Sequence, residues 1–189
     1  TKIAVVNFSG NVGKSTLTKH LLAPRLPNCE VIQVESINTT NVDGEKVSGK
    51  HFTKVIEEIA LHENVVVDVG SSNVEQAFTA LKDLDDAHED FDYFVVPCVP
   101  GDKQQNDTLE LLTQLQEFGI PGSKIKVILN YVSRDDVPES LFPSIVGYCS
   151  EMGIAWATVY YNAVFELLTK STVDQVVANL DDVTARIKE

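Results

Sequence analysis

Ile3-Ala4-Val5-Val6-Asn7-Phe8-Ser9-Gly10-Asn11-Val12-Gly13-Lys14-Ser15-Thr16-Leu17 decides how this chain folds. Ile3 to Phe8 is an apolar run that reads as a buried strand, with β-branched bulk at Val5 and Val6. Leu17 to Leu22 reads as the first turns of a helix. Between them lies a glycine-containing turn that closes in Gly13-Lys14-Ser15, the context in which a phosphate-binding loop has meaning. Gly10 and Gly13 are expected to let the backbone approach a phosphate closely. The amides of Gly10, Asn11, Val12, Gly13, Lys14, Ser15 and Thr16 would then line an anion cup at the start of the helix. Lys14 would reach the β- and γ-phosphates, and the Ser15 hydroxyl would hold magnesium. The familiar spacing Gly-x-x-x-x-Gly-Lys-Ser would need glycine where Phe8 stands. The bland alternative is a turn with a chance Lys-Ser; the strand–loop–helix order favours a nucleotide site.

The 189 residues, 43% of them hydrophobic, suit one domain spanning the whole of 1–189. No apolar run approaches the ~20 residues of a membrane span. The chain opens directly into a strand, so no signal peptide is expected. Cys29, Cys98 and Cys149 are widely spaced, which argues against a disulfide framework and fits a cytoplasmic protein. His20, His51, His62 and His88 have no metal-ligand spacing and read as solvated helix residues. A formal net charge of −13 repels phosphodiester backbones, so any DNA contact is expected to be indirect. The same acidity suits solubility or a basic protein partner.

Strand and helix patterns alternate along the chain. Glu30 to Val34, Asn64 to Val69, Phe91 to Val99 (stopped by Pro97 and Pro100), Ile125 to Leu129 and Ile154 to Val159 read as strands. Helical spacing recurs in Phe52-Val55-Ile56-Ile59, Val74-Ala77-Phe78-Leu81, Leu109-Leu112-Leu115-Phe118 and Leu141-Ile145-Val146-Cys149. Val173, Val176, Val177, Leu180 and Ile187 predict a closing helix. Residues 36–49 read as a polar loop, and the acidic run Asp83 to Asp90 as a solvated one. The pattern predicts a three-layer α/β/α fold with a mostly parallel sheet. Ligands in such sheets bind beyond the carboxyl ends of the strands.

Four strand ends carry candidate chemistry. Asp68 follows Val65-Val66-Val67, where a carboxylate is costly to bury without a strong partner; magnesium with its waters is one. The competing role for Asp68 is capping the next helix, although Ser72 or Asn73 would cap it better. Glu35 ends the second strand, where resemblance to P-loop ATPases implies a carboxylate that orients a water molecule; otherwise it is an exposed loop residue, and Asn38 is a weaker candidate nearby. Asn130 ends the fifth strand and could pair with an adenine edge or simply tie off the sheet. Tyr160-Tyr161-Asn162 follows the sixth strand, where resemblance to P-loop ATPases implies backbone contacts to adenine. Guanine-specific loops read Asn-Lys-x-Asp at Asn130; here Tyr131 and Ser133 replace the lysine and aspartate, which favours ATP over GTP.

Gly10-x-x-Gly13-Lys14-Ser15-Thr16 resembles the deviant Walker A loop of the ParA/MinD group of P-loop ATPases. Asn11 replaces that group's second glycine, and Ser9 stands in place of its signature lysine. The resemblance implies an ATPase that binds ATP and Mg2+, with Lys14, Glu35 and Asp68 catalytic and Ser15 and Asp68 on the metal. It also implies a homodimer in the ATP state. Arg25 and Arg134 are candidates for the charge that Ser9 lacks, against a plainer role in surface salt bridges. The opening Lys2 to Ser15, Leu21-Leu22-Ala23-Pro24-Arg25 and Val34-Glu35-Ser36-Ile37-Asn38 are similar to StbB-type plasmid stability proteins. That implies a role in plasmid stability, partition or conjugative transfer, with a plasmid-encoded DNA-binding adaptor and weak turnover without a partner. The competing classes are a P-loop small-molecule kinase or ligase, dethiobiotin synthetase-like, and a module that binds nucleotide without hydrolysing it.

Overall fold

Among the described residues, six short apolar segments pair into one sheet, in the order β2-β3-β1-β4-β5-β6, and every pairing is parallel. The computed structural model describes residues 1–34, 54–83, 87–167 and 177. The strands are β1 (Lys2–Val5), β2 (Glu30–Val34), β3 (Val65–Val69), β4 (Tyr93–Cys98), β5 (Ile125–Val132) and β6 (Ala155–Tyr160). The helices are α1 (Lys14–Leu17, continued by a π-helical turn over Thr18–Leu22), α2 (54–60), α3 (Val74–Asp83), α4 (Asp102–Glu117), α5 (Pro138–Leu141), α6 (Pro143–Glu151) and α7 (Val164–Leu167).

Strand alternation sorts the core into two layers. Ala4, Val65, Val67, Phe94, Val96, Ile125, Val127 and Leu129 face one side. There they meet Val55 and Ile59 of α2, Phe78 and Leu81 of α3, Leu111, Leu112 and Leu115 of α4, and Ile145 and Cys149 of α6. Ile3, Val5, Val66 and Val95 face the other side, where Leu22 and Leu26 cover them. Right-handed crossovers explain the division. The β1-to-β2 connection runs across the sheet in one direction and every later connection between strands runs back, so α1 lies on the face opposite α2, α3, α4 and α6. Val65, Val66 and Val67 are fully buried, each worth ~1.5–3 kcal/mol over exposure.

Pro97 departs from the sequence expectation. It lies inside β4, in register with Ile128, rather than stopping the strand. β1 pairs with β4 only through Val95, and the Val6 amide donates to the Val95 carbonyl. Beyond that point the β1 side of β4 has no ladder for a missing N–H to interrupt. The fifth strand also runs further than predicted, through a register shift between Leu129 and Val132. Glu35, Asn38, the loop 36–49 and, apart from exposed helical Val177, the closing helix lie outside the described residues.

Candidate functional site

β1 is flanked by β3 and β4, while its chain neighbour β2 lies beyond β3. The crevice outside its carboxyl end is therefore the switch point at which open parallel sheets bind ligands. The loop Ser9–Gly13 fills that crevice. Two of its residues are left-handed, Asn11 at φ 58° and Gly13 at φ 94°. Asparagine tolerates that region better than most residues, which is why Asn11 can stand where a glycine was expected. Gly10 is not left-handed, and a Cβ there would meet nothing nearer than Ser71 Oγ at 3.7 Å. The conformational demand placed on Gly10 by sequence thus falls on Asn11.

Gly13 leads directly into α1, and its carbonyl accepts from the Leu17 amide at 2.9 Å. Lys14 is buried, and its Nζ donates to the carbonyls of Ser9 (2.9 Å) and Asn7 (3.2 Å). The ammonium thus closes the loop on itself. Burial lowers its pKa, and the Asp68 carboxylate opposes that shift. Asp68 alternates onto the face of Val66, which α1 covers, and is in register with Val5 and Gln33. Ser15 is exposed on the first turn of α1 and Thr16 half-buried behind it. Ser15 and Asp68 offer only hard oxygen donors, the set that magnesium takes alongside water and phosphate oxygens.

Asn7 supports the loop from beneath and was missed in the sequence. It is fully buried; its amide donates to the Pro97 carbonyl and to Thr108 Oγ1, both at 2.8 Å, and its Oδ1 accepts from the Ser9 amide at 2.7 Å. An asparagine closing a β-branched strand was the available signal. Ser9 is itself buried and donates its hydroxyl to Asp107 of α4. Sequence separation hid that pairing.

Asn130, expected either to meet an adenine edge or to tie off the sheet, holds the loop and also faces the cavity. Its side chain is buried, and Nδ2 donates to the Val12 carbonyl at 2.9 Å. It is a clamp on the loop Ser9–Gly13, and it also borders a cavity of about 640 Å3. That cavity begins at Thr16 and Leu17 and is walled by His20, Tyr131, Tyr160, Tyr161 and Phe165. The volume suits a small ligand. Tyr131 is left-handed at φ 59°, next to the register shift of β5, and its ring lies 6.1 Å from that of Tyr161. His20 rests on Phe165 at 5.5 Å, and burial, then Lys19, lowers its pKa. Tyr160 lies under Arg134, whose guanidinium carbon is 5.4 Å from the ring. Arg25 borders the far cavity wall and bonds the Leu21 carbonyl. Neither arginine is at the Ser9 end of the loop, so the expectation that one of them supplies charge there finds no support in their placement.

On the β3 side, the Val34 carbonyl accepts from the Gly70 amide at 2.9 Å and from Asn73 Nδ2 at 3.2 Å. Asn73 is thereby tied to the end of β2. Among the described residues there is no group of three His, Cys, Asp or Glu suited to a metal, and no helix is long and apolar enough to cross a membrane.

A parallel sheet with a Gly-Lys-Ser loop at its switch point defines the three-layer α/β fold of P-loop proteins. Among solved structures the chain is similar to the MinD cell division protein of Aquifex aeolicus. The TM-score is 0.58 at 16% identity, over 85% of this chain and 82% of that one. It is similar in the same degree to the MinC:MinD complex of that organism, at TM-score 0.58 and 16% identity, over 85% and 81%. An ATP complex of Cyanothece McdA gives 0.49 at 15% identity, over 88% and 85%. No protein-family model matches the chain, and no curated protein sequence matches it. The fold is the MinD fold.

Proposed function

We propose that the loop Ser9–Thr16 binds ATP with Mg2+ and that the chain is a ParA-like ATPase switch. One observation carries this reading. The left-handed pair Asn11 and Gly13 curls the backbone around the start of α1 with Lys14 beneath it, and an aromatic cavity opens from Thr16. A concave run of amides beside a lysine suits phosphates. The cavity suits a base against the Tyr131 and Tyr161 rings, and Tyr131 and Ser133 stand in place of the lysine and aspartate that select guanine. Lys14 would leave the Ser9 and Asn7 carbonyls for the β- and γ-phosphates. Ser15 and Asp68 would hold the metal, which would neutralise phosphate charge. Glu35 is the candidate for positioning water. Hydrolysis then needs orientation and charge stabilisation rather than a covalent intermediate.

The finer role is plasmid stability, partition or conjugative transfer in the cytoplasm. The resemblance of residues 2–38 to StbB-type proteins supports it, and so does the fold of MinD, a protein solved in complex with MinC. In this reading ATP orders a face that binds a second copy or a plasmid-encoded DNA-binding adaptor, and hydrolysis releases it. DNA contact is through the adaptor, consistent with the net charge of −13.

Calorimetric titration with ATP and ADP, with and without magnesium, tests the site. Saturable, magnesium-dependent uptake that Lys14→Ala abolishes is expected. Absence of uptake by the wild-type chain, or uptake indifferent to Lys14, would overturn the reading. Phosphate release with and without adaptor and DNA separates a switch from a passive nucleotide-binding module.

A further inference from the structure

The Ser9 end of the loop carries a second positive charge that the proposed site leaves unused. One oxygen of Asp107, Oδ2, accepts from both the Ser9 hydroxyl and Lys103 Nζ, the latter at 3.0 Å. These contacts, the Ser9 hydroxyl foremost, hold the Asp107 carboxyl below its ordinary range. Ser9 is buried in the loop, whereas the Lys103 side chain is 78% exposed. The Asp107 side chain is 24% exposed, but an i,i+4 pair whose lysine is this open to solvent is worth only ~0.5 kcal/mol, so the ammonium leaves it easily.

The loop has a direction. Thr16 and Asn130 stand at its cavity end. Gly10 beside Ser71, and Ser9 beside Asp107, stand at the other. With a base in the cavity, the phosphates run away from it and the terminal one lies towards Ser9. A triphosphate carries more negative charge there than Lys14 and one divalent ion balance, and Asp68 adds to the excess. Arg25 and Arg134 stand at the cavity end. Lys103 stands at the end where the excess falls, one shared carboxylate from the loop.

We propose that Lys103 is a binding residue for the terminal phosphate, held by Asp107 until a triphosphate draws it away. Opposite charge and a hydrogen-bonding ammonium make this contact specific to the third phosphate, because a diphosphate ends short of it. The proposal rests on the nucleotide reading of the loop, and the test separates the two. Fluorescent N-methylanthraniloyl ADP and a non-hydrolysable ATP analogue are titrated, with magnesium, against wild type, Lys103→Ala and Lys103→Arg. The exposed position lets all three fold. Lys103→Ala is expected to bind the diphosphate within about twofold of wild type and the triphosphate about tenfold more weakly, the factor for one charge-assisted contact. Lys103→Arg should restore most of the difference. Unchanged affinities, or parallel losses for both nucleotides, would overturn the role of Lys103 while leaving the loop reading intact. No uptake of either nucleotide by wild type would overturn both.

Discussion

Replacing Gly13 with alanine strikes the tightest point of the loop. A Cβ there would stand 2.3 Å from Asn130 Nδ2, at φ 94°. Left-handed backbone costs a non-glycine residue ~1–2 kcal/mol. The Asn130 amide must also retreat from the Val12 carbonyl, and an orphaned buried acceptor costs ~1–3 kcal/mol. Together these remove about 2–5 kcal/mol from a domain whose stability is typically ~5–15 kcal/mol. At this chain length the melting temperature should fall by about 5–15 °C. Urea unfolding followed by circular dichroism measures the loss directly. Gly10→Ala is the internal control: its Cβ fits at 3.7 Å from Ser71 Oγ, and its cost should stay within ~0.5 kcal/mol. In an Asn130→Ala background the steric part vanishes, and Gly13→Ala should cost only the strain, about 1–2 kcal/mol. A loss below about 1 kcal/mol in the wild-type background, or equal losses in both backgrounds, would refute the clamp.

Asn7→Ala leaves the Ser9 amide and the Pro97 carbonyl without the side chain that bonds them, and should cost about 2–4 kcal/mol by urea unfolding. Nucleotide affinity should fall with it, because the loop loses its floor. The thiols offer a separate check. Burial pushes Cys98 and Cys149 up to about 11, whereas Cys29 is only half-buried. Ellman's reagent at pH 8 should therefore label at most Cys29 in the native chain and all three cysteines in denaturant; rapid native labelling of Cys98 would contradict its burial.

The strand–helix alternation was legible because it rests on local periodicity, the loop because Gly10 to Ser15 are contiguous, and the three layers because crossovers between parallel strands have one hand. Val65-Val66-Val67 could hardly be anything but an inner strand. The supports of the loop were not legible, because they come from distant parts of the chain. Asn130 reaches Val12 and Asp107 reaches Ser9 only once β5 and α4 have been laid beside β1. A polar residue at a strand end looks the same in sequence whether it faces a ligand or holds a turn, so Asn130 read equally as a base contact or a tie at the sheet end. Pro97 read as a strand stop because sequence does not show that β1 has already left its side. Tyr131 gave no sign of its left-handed backbone, since nothing in the residue type demands it.

The strand order also sets a timetable for assembly. β1 is made first, yet its neighbours are β3, whose pairing residues begin at Val65, and β4, whose pairing residues begin at Tyr93. During synthesis β1 stays unpaired on both edges until Val65–Val69 have emerged, and on one edge until Tyr93–Cys98 have followed. Non-local parallel contacts of this kind are slow to form. The cup at the carboxyl end of β1 is therefore a late product of folding although it is written in the first residues, and a nascent chain halted before β4 would carry the motif without the site.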